Sequence, residues 1–310
     1  SVKSRTGGGR ISASGGNGFA GGGGGRVAVD VFSRHDEPTI YVHGGISRGC
    51  SKNAGAAGTL YDAVPRSLNV NNYNLSTDTE TLLLEFPYQP LWTNVYIRNC
   101  ARASVPLLWS RVQVQGQISL LCGGVLSFGL AHYATSEFEL LAEELLMSDS
   151  IIKVYGALRM TVKIFLMWNS KMLIDGGEDS TVATSWLEAS NLVILKVGPG
   201  SVLRGPLEDA SSYAITPKLY CELQDCPIEL LHPPEDCNVN SSLSFTLQIC
   251  RVEDITVEGL IKGSVVHFHR ARTISVQSSG IISASGMGCI GGVGRGNFLD
   301  NGIGSGGGHG

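Results

Sequence analysis

The phrase Ile-Ser-Ala-Ser-Gly occurs twice, at Ile11–Gly15 and, 271 residues later, at Ile282–Gly286, each time opening a glycine tract. A short strand running into a glycine-packed turn, and then repeated, restricts a chain to architectures that stack similar coils. The plan recurs at Ile40-Tyr41-Val42-His43, 29 residues after Ile11, with Gly44 to Gly58 as the next glycine stretch. Glycine suits such turns because it accepts positive φ and lets neighbouring backbones approach closely. Between the two tracts, Val27 to Phe32 alternates with period two and predicts a strand.

A different repeat follows from residue 111. Small polar turns recur at Asp149, Ser170 and Ser190, each near an aliphatic run such as Ile151–Val154, Met172–Ile174 or Leu192–Leu195. An interval of about 20 residues suits one coil of a parallel β-helix. Further on, Ile255-Thr256-Val257 and Ile274-Ser275-Val276 stand 19 residues apart and predict a ladder of Ile255 over Ile274. The interval collapses between Ser190 and Gly200, which predicts strain near Lys196. One stretch reads two ways: Ser136-Glu137-Phe138-Glu139 is a capping-box pattern ahead of Leu140–Met147, so the segment is either a short helix or a pair of strands.

The fold expected is all-β, a parallel β-helix or β-solenoid with glycine-rich turns and a disulfide-rich excursion. Residues 1–65 form glycine-rich coils and 66–110 a transition packed on the stack. Residues 111–217 are coils, 218–251 a cysteine-rich excursion, and 252–310 further coils running into a glycine-rich turn.

Composition excludes several classes. The 41 glycines among 310 residues cluster without a Gly-X-Y period, so the chain is not collagen. With 43% hydrophobic and 16% charged residues it is not disordered as a whole. A net charge of −4 without a basic tract argues against nucleic acid as partner. No apolar run approaches the ~18 residues that cross a bilayer, so no span is expected within this segment. The chain starts near one glycine tract and stops inside another, which reads as a segment of a longer protein.

Of eight cysteines, Cys221, Cys226, Cys237 and Cys250 crowd together at intervals that lack zinc-knuckle spacing, and they are read as disulfide partners in one of three connectivities. Cys50, Cys100, Cys122 and Cys289 are scattered; small buried residues are expected there, Cys122 above all. Two sequons place glycosylation candidates at Asn74 and Asn240. Together with the local cysteine density they favour an oxidising, secretory environment.

Motifs for chemistry are weak. Gly16 to Gly21 satisfies the dinucleotide pattern GxGxxG with Asp36 about 20 residues on, but a period-two strand follows instead of a helix N-terminus, so a β-helix turn is expected. His267 and His269 share one strand face without a third metal ligand. The acids Asp36, Glu37, Asp62, Asp175, Glu178 and Asp179 do not repeat at one coil interval, as the paired carboxyls of a polysaccharide-cleaving site would need. No catalytic residue, cofactor or metal is assigned. An exposed row drawn from Trp92, Trp109, Trp168 and Trp186 would mark carbohydrate contact, with Trp92 and Trp109 as first candidates; burial would favour plain scaffolding.

Three stretches resemble a family of large plant glycine-rich proteins: Ser33-Arg34-His35-Asp36-Glu37-Pro38, Leu107 to Gly116, and His232-Pro233-Pro234-Glu235-Asp236-Cys237. The resemblance covers nearly the whole chain. It implies a secretory-pathway protein much longer than this segment, at the extracellular face or plasma membrane of a plant cell and anchored by a span elsewhere. It implies no known activity. The join at Leu195–Pro199 is shorter than the family pattern. The expected function is a non-enzymatic structural or adhesive ectodomain segment that contacts cell-wall glycans or extracellular proteins. The alternatives are a cell-wall carbohydrate-binding module and a polysaccharide-active β-helix enzyme.

Overall fold

The computed structural model describes residues 2–36, 38–83, 91–107, 110–130, 137–175, 185–205, 214–215, 239–240, 245–263 and 265–285. Among them every regular element is a strand. The first ten are β1 (Val2–Arg5), β2 (Arg10–Ser12), β3 (Arg26–Val29), β4 (Val31–Arg34), β5 (Thr39–Tyr41), β6 (Thr59–Asp62), β7 (Ser67–Asn71), β8 (Thr81–Leu82), β9 (Asn94–Arg98) and β10 (Arg102–Val105). Then come β11 (Arg111–Gln113), β12 (Gln117–Leu121), β13 (Val125–Phe128), β14 (Glu137–Ser148), β15 (Ile151–Tyr155), β16 (Ala157–Trp168), β17 (Lys171–Asp175) and β18 (Ser185–Val197). The last are β19 (Val202–Arg204), β20 (Ala214–Ile215), β21 (Val239–Asn240), β22 (Phe245–Val257), β23 (Leu260–Lys262), β24 (Val265–Val276) and β25 (Ile281–Ser283).

Two large sheets carry most of these strands. One has the order β24-β22-β18-β16-β14-β12-β9-β7-β6-β3, with β11 against β14; the other runs β25-β23-β19-β17-β15-β13-β10-β8. Neighbours pair in parallel, as β9 and β14 do on either side of β12, and β18 and β24 on either side of β22. The β6–β7 hairpin and the short β20–β21 pair are antiparallel. The sequence pairings hold: Ile11 lies opposite Ile40, and Ile255 opposite Ile274. The strand predicted over Val27–Phe32 is split at Asp30 into β3 and β4.

The chain divides into two compact units. The first comprises Ser1–Phe128, Leu140–Lys153 and Val162–Lys171; the second comprises Gly129–Glu139, Val154–Thr161 and Met172–Gly310.

In the first unit the glycine tracts are packed segments, not turns. Gly15, Gly18, Gly21 and Gly24 donate from every third amide to the carbonyls of His43, Ile46, Asn53 and Ala56 at 2.9–3.2 Å. Three residues per turn is the repeat of the polyproline II helix. Positive φ does not explain these glycines, because none between Gly15 and Gly58 has it. Close approach does. A Cβ on Gly55 or Gly58 would lie 1.8 Å from the carbonyl oxygen of Gly22 or Gly25 in the other tract, and one on Gly15 or Gly44 would lie 1.9 Å from that of Gly22 or Gly55 within its own tract. The GxGxxG stretch belongs to this packing and leads into β3, so no helix N-terminus is present to hold a pyrophosphate. Beyond the tracts the strands alternate: Leu68 and Val70 of β7, Val95 and Ile97 of β9, and Ile118 and Leu120 of β12 all point inward.

Residues 137–148 form one strand, not a helix. Phe138 and Leu140 are buried, and so are Leu145 and Met147, so the inward parity changes within the strand. At the change, Glu143 and Glu144 both donate their amides to Gly116 O, and Leu141 O accepts from Val114. Cross-strand bonds and burial of four large side chains outweigh a local capping preference of about 1 kcal/mol.

In the second unit the long strands also bend. Asn191, Arg251 and Arg270 have φ of 59°, 58° and 52°. Just before them Ser190 pairs with Cys250 and Cys250 with His269; just after, Leu192 pairs with Val252 and Val252 with Ala271. One left-handed residue thus recurs at the same place in three adjacent strands. This corrects the turn count. Asp149 and Asn169 sit between strands, whereas Ser190–Asn191 is a corner inside β18, and the turn that follows β18 is Gly198–Ser201. The apparent collapse of the interval joins two different corners. No strain is seen at Lys196: Leu195 and Val197 are buried and in register with Ile255 and Val257.

No helix among the described residues is long and apolar enough to cross a membrane.

Candidate interaction surface

The first unit gathers four polar and aromatic side chains at its glycine-packed end. β2 and β5 pair with Arg10 opposite Thr39 and Ser12 opposite Tyr41. Tyr41 and His43, two residues apart, lie on one side of the chain while Val42 between them is buried. Tyr73 follows β7 at a corner with φ of 51° and is 43% exposed. Its ring centroid is 5.4 Å from that of Tyr41 and 5.3 Å from that of His43. The Arg10 guanidinium carbon stands 4.2 Å from the Tyr41 ring centroid.

A buried amide fixes this cluster. Asn72, fully buried, accepts from the Gly44 amide at 2.9 Å and donates to the carbonyls of Gly55 at 3.2 Å and Leu75 at 2.7 Å. It ties the corner that carries Tyr73 to two points of the second glycine tract, Gly44 and Gly55. His43 Nδ1 lies 2.7 Å from Gly44 O, which orients the imidazole. The rings are mutually tilted, by 39° between the tyrosines and 59° between His43 and Tyr73, so they form a faceted platform instead of a flat stack. Such a platform can meet the C–H faces of a sugar, with Arg10 to bond hydroxyls or a carboxylate.

The residues singled out by sequence are dispersed. Trp92 is 2% exposed, so its faces are not offered to solvent; it forms part of the wall of a half-open pocket of about 190 Å³ with Arg26, Tyr61, Leu68 and Leu82. Trp168, at the end of β16, is 54% exposed. Trp109 lies outside the described residues, as does the side chain of Trp186. Asn74 is exposed beside Tyr73, with φ of 62° and its amide bonded to Asn99 O at 3.0 Å. Asn240 is in β21. Cys221, Cys226 and Cys237 lie outside the described residues; the Cys250 backbone is part of β22. Cys122, expected to be buried, is exposed, and Cys50 is exposed as well.

The acids with described side chains have structural partners. Asp62 is ion-paired with Arg34, and Asp36 accepts from the Gly7 amide at 3.1 Å. Glu37, Glu178 and Asp179 lie outside the described residues, and so does the side chain of Asp175. His267 pairs with Gln248 in the β22–β24 ladder. Among the described residues no three His, Cys, Asp or Glu side chains converge as a metal site would require.

Sequence reasoning missed the platform. The i, i+2 spacing of Tyr41 and His43 was a usable signal. Tyr73 reaches them only through a corner that Asn72 sets, and no local pattern encodes that. The chain matches no family model, no curated protein and no solved structure.

Proposed function

We propose that the chain is a β-solenoid segment of a larger secreted or membrane-anchored plant protein, with a non-enzymatic structural or adhesive role. The observation that carries this reading is the hydrogen-bonded stacking of parallel strands and glycine tracts, in which backbone contacts are used for cohesion along the whole first unit. Asp36 and Asp62 serve that cohesion as well, which leaves neither poised as one of two facing carboxyls. The secretory and plant assignments rest on the resemblance of Ser33–Pro38, Leu107–Gly116 and His232–Cys237 to the glycine-rich proteins.

A second reading, as a cell-wall carbohydrate-binding module, is favoured by the Arg10–Tyr41–His43–Tyr73 platform, which replaces the Trp92–Trp109 row as its basis. Pull-down on insoluble cellulose and pectin, with assay of released reducing ends, separates the readings. The structural reading predicts no retention and no released sugar from a chain whose far-UV spectrum is that of a β-protein. Saturable retention that falls at least tenfold in a Tyr41→Ala/Tyr73→Ala chain would establish carbohydrate binding, and release of reducing ends would establish an enzyme.

The secretory assignment has its own test. Expressed through a eukaryotic secretory pathway, the chain should carry a glycan at exposed Asn74, and Asn74→Gln should remove that glycan's mass from the intact protein. An unmodified Asn74 in the secreted chain would count against the assignment.

A further inference from the structure

In the first unit, a column of left-handed residues forms one corner where neighbouring strands turn. It runs through Tyr73 and Asn74, Asn99 and Cys100, Cys122 and Gly123, then Asp149 and Asn169, with φ between 44° and 77°. Backbone bonds join its levels: Asn74 to Asn99 O at 3.0 Å, Cys100 to Cys122 O at 2.9 Å, Gly123 to Asp149 O at 2.7 Å and Asp149 to Trp168 O at 3.1 Å. Asparagine, aspartate and glycine are the residues that tolerate this conformation. Cysteine has no such advantage, yet it occupies two successive levels.

The two cysteines are also within reach of one another. Arg98 lies opposite Leu121 in the β9–β12 ladder, so Asn99 faces Cys122 and Cys100 is its diagonal neighbour. The Cys100 amide donates to Cys122 O at 2.9 Å, so the two residues are hydrogen-bonded neighbours on adjacent levels, at the close Cα approach a disulfide needs (about 4.4–6.8 Å). The Cys100 sulfur leans toward the next level: it lies 3.1 Å from the position a Cβ would take on Gly123, the residue after Cys122. Cys122 is exposed and Cys100 half-buried, and both thiols are free.

We propose that Cys100 and Cys122 are a redox-active pair that closes to a disulfide across two levels of this corner. With oxidised glutathione as oxidant, the exposed Cys122 thiolate attacks one glutathione sulfur and expels the other as glutathione thiolate. The Cys100 thiolate then attacks Cys122 Sγ of the mixed disulfide and expels the second glutathione. Two electrons pass from the cysteine sulfurs to the glutathione disulfide, and the two thiol protons leave with the two reduced glutathiones. The step uses an exposed attacking thiol and a sheltered resolving one, which is the order the burial provides.

Peptide mapping of the whole chain after incubation with oxidised glutathione tests this. Trypsin cuts at Arg98, Arg102 and Arg111, so Cys100 and Cys122 fall in separate peptides. The expected result is one linked species joining residues 99–102 to residues 112–153, abolished by reduction and unchanged in Cys50→Ser. In Cys100→Ser, Cys122 should instead retain one glutathione. The proposal is overturned if the folded chain shows both thiols singly modified without a link. It is equally overturned if Cys122 of the Cys100→Ser chain forms a protein disulfide with another cysteine.

Discussion

Gly55→Ala should destabilise the chain by about 3 kcal/mol or more, while Gly23→Ala should leave stability within about 0.5 kcal/mol of the parent. The two substitutions add the same methyl group to the same glycine-rich end. At Gly55 that methyl would lie 1.8 Å from the Gly22 carbonyl oxygen and 2.5 Å from its carbon, so two backbones must separate. At Gly23 it meets nothing within 4 Å, and the lower entropy of the unfolded chain offsets any local loss. Urea unfolding midpoints of the two variants measure the contrast. Equal midpoints would mean that the glycines serve flexibility and not contact.

Asn72→Ala should cost about 3–5 kcal/mol, because it removes the partner of one amide and two carbonyls inside the first unit. Asn72→Asp makes a sharper test. Its carboxylate still accepts from the Gly44 amide but cannot donate to Gly55 O or Leu75 O, which now face a buried negative charge. Burial raises the folded-state pKa of that aspartate above its unfolded value of ~3.9. The folded variant therefore takes up its proton at a higher pH than the unfolded one, and its deficit relative to the parent shrinks as pH falls from 7 toward 4. Unfolding curves at both pH values check the sign. A deficit independent of pH would place the new carboxylate in water and remove Asn72 from its role as the tie between its corner and the second glycine tract.

The sequence exposed the ladders more readily than the corners. Ile11 over Ile40 and Ile255 over Ile274 were legible because strands that pair in parallel repeat the same aliphatic residues at the spacing of a turn. The turn expected at Ser190 is instead a corner at Asn191 inside β18. A single left-handed residue inside a long strand and a two-residue link between strands have the same local composition, and pairing on both sides distinguishes them. The helix pattern at Ser136–Met147 failed for a related reason: bonds from Val114 and to Gly116 come from a distant part of the chain. The exposure of Cys122 was hidden as well. Small apolar residues are usually buried, and only its place in the corner column brings this one to the surface. The aromatic platform depends on Asn72, whose three partners lie 3 to 28 residues away.

The glycine tracts carry a consequence for how order is detected in this molecule. Long stretches of glycine are ordinarily the most pliant part of a polypeptide, and a circular dichroism spectrum would count residues 13–25 and 42–58 as coil. Here their amides are held at regular intervals by facing carbonyls, with backbone against backbone. Such a spectrum reads these segments as unordered, yet their bonded amides should be among the slow ones to exchange with deuterated solvent. Rigidity in this chain is thus decoupled from the signatures by which helices and sheets are recognised.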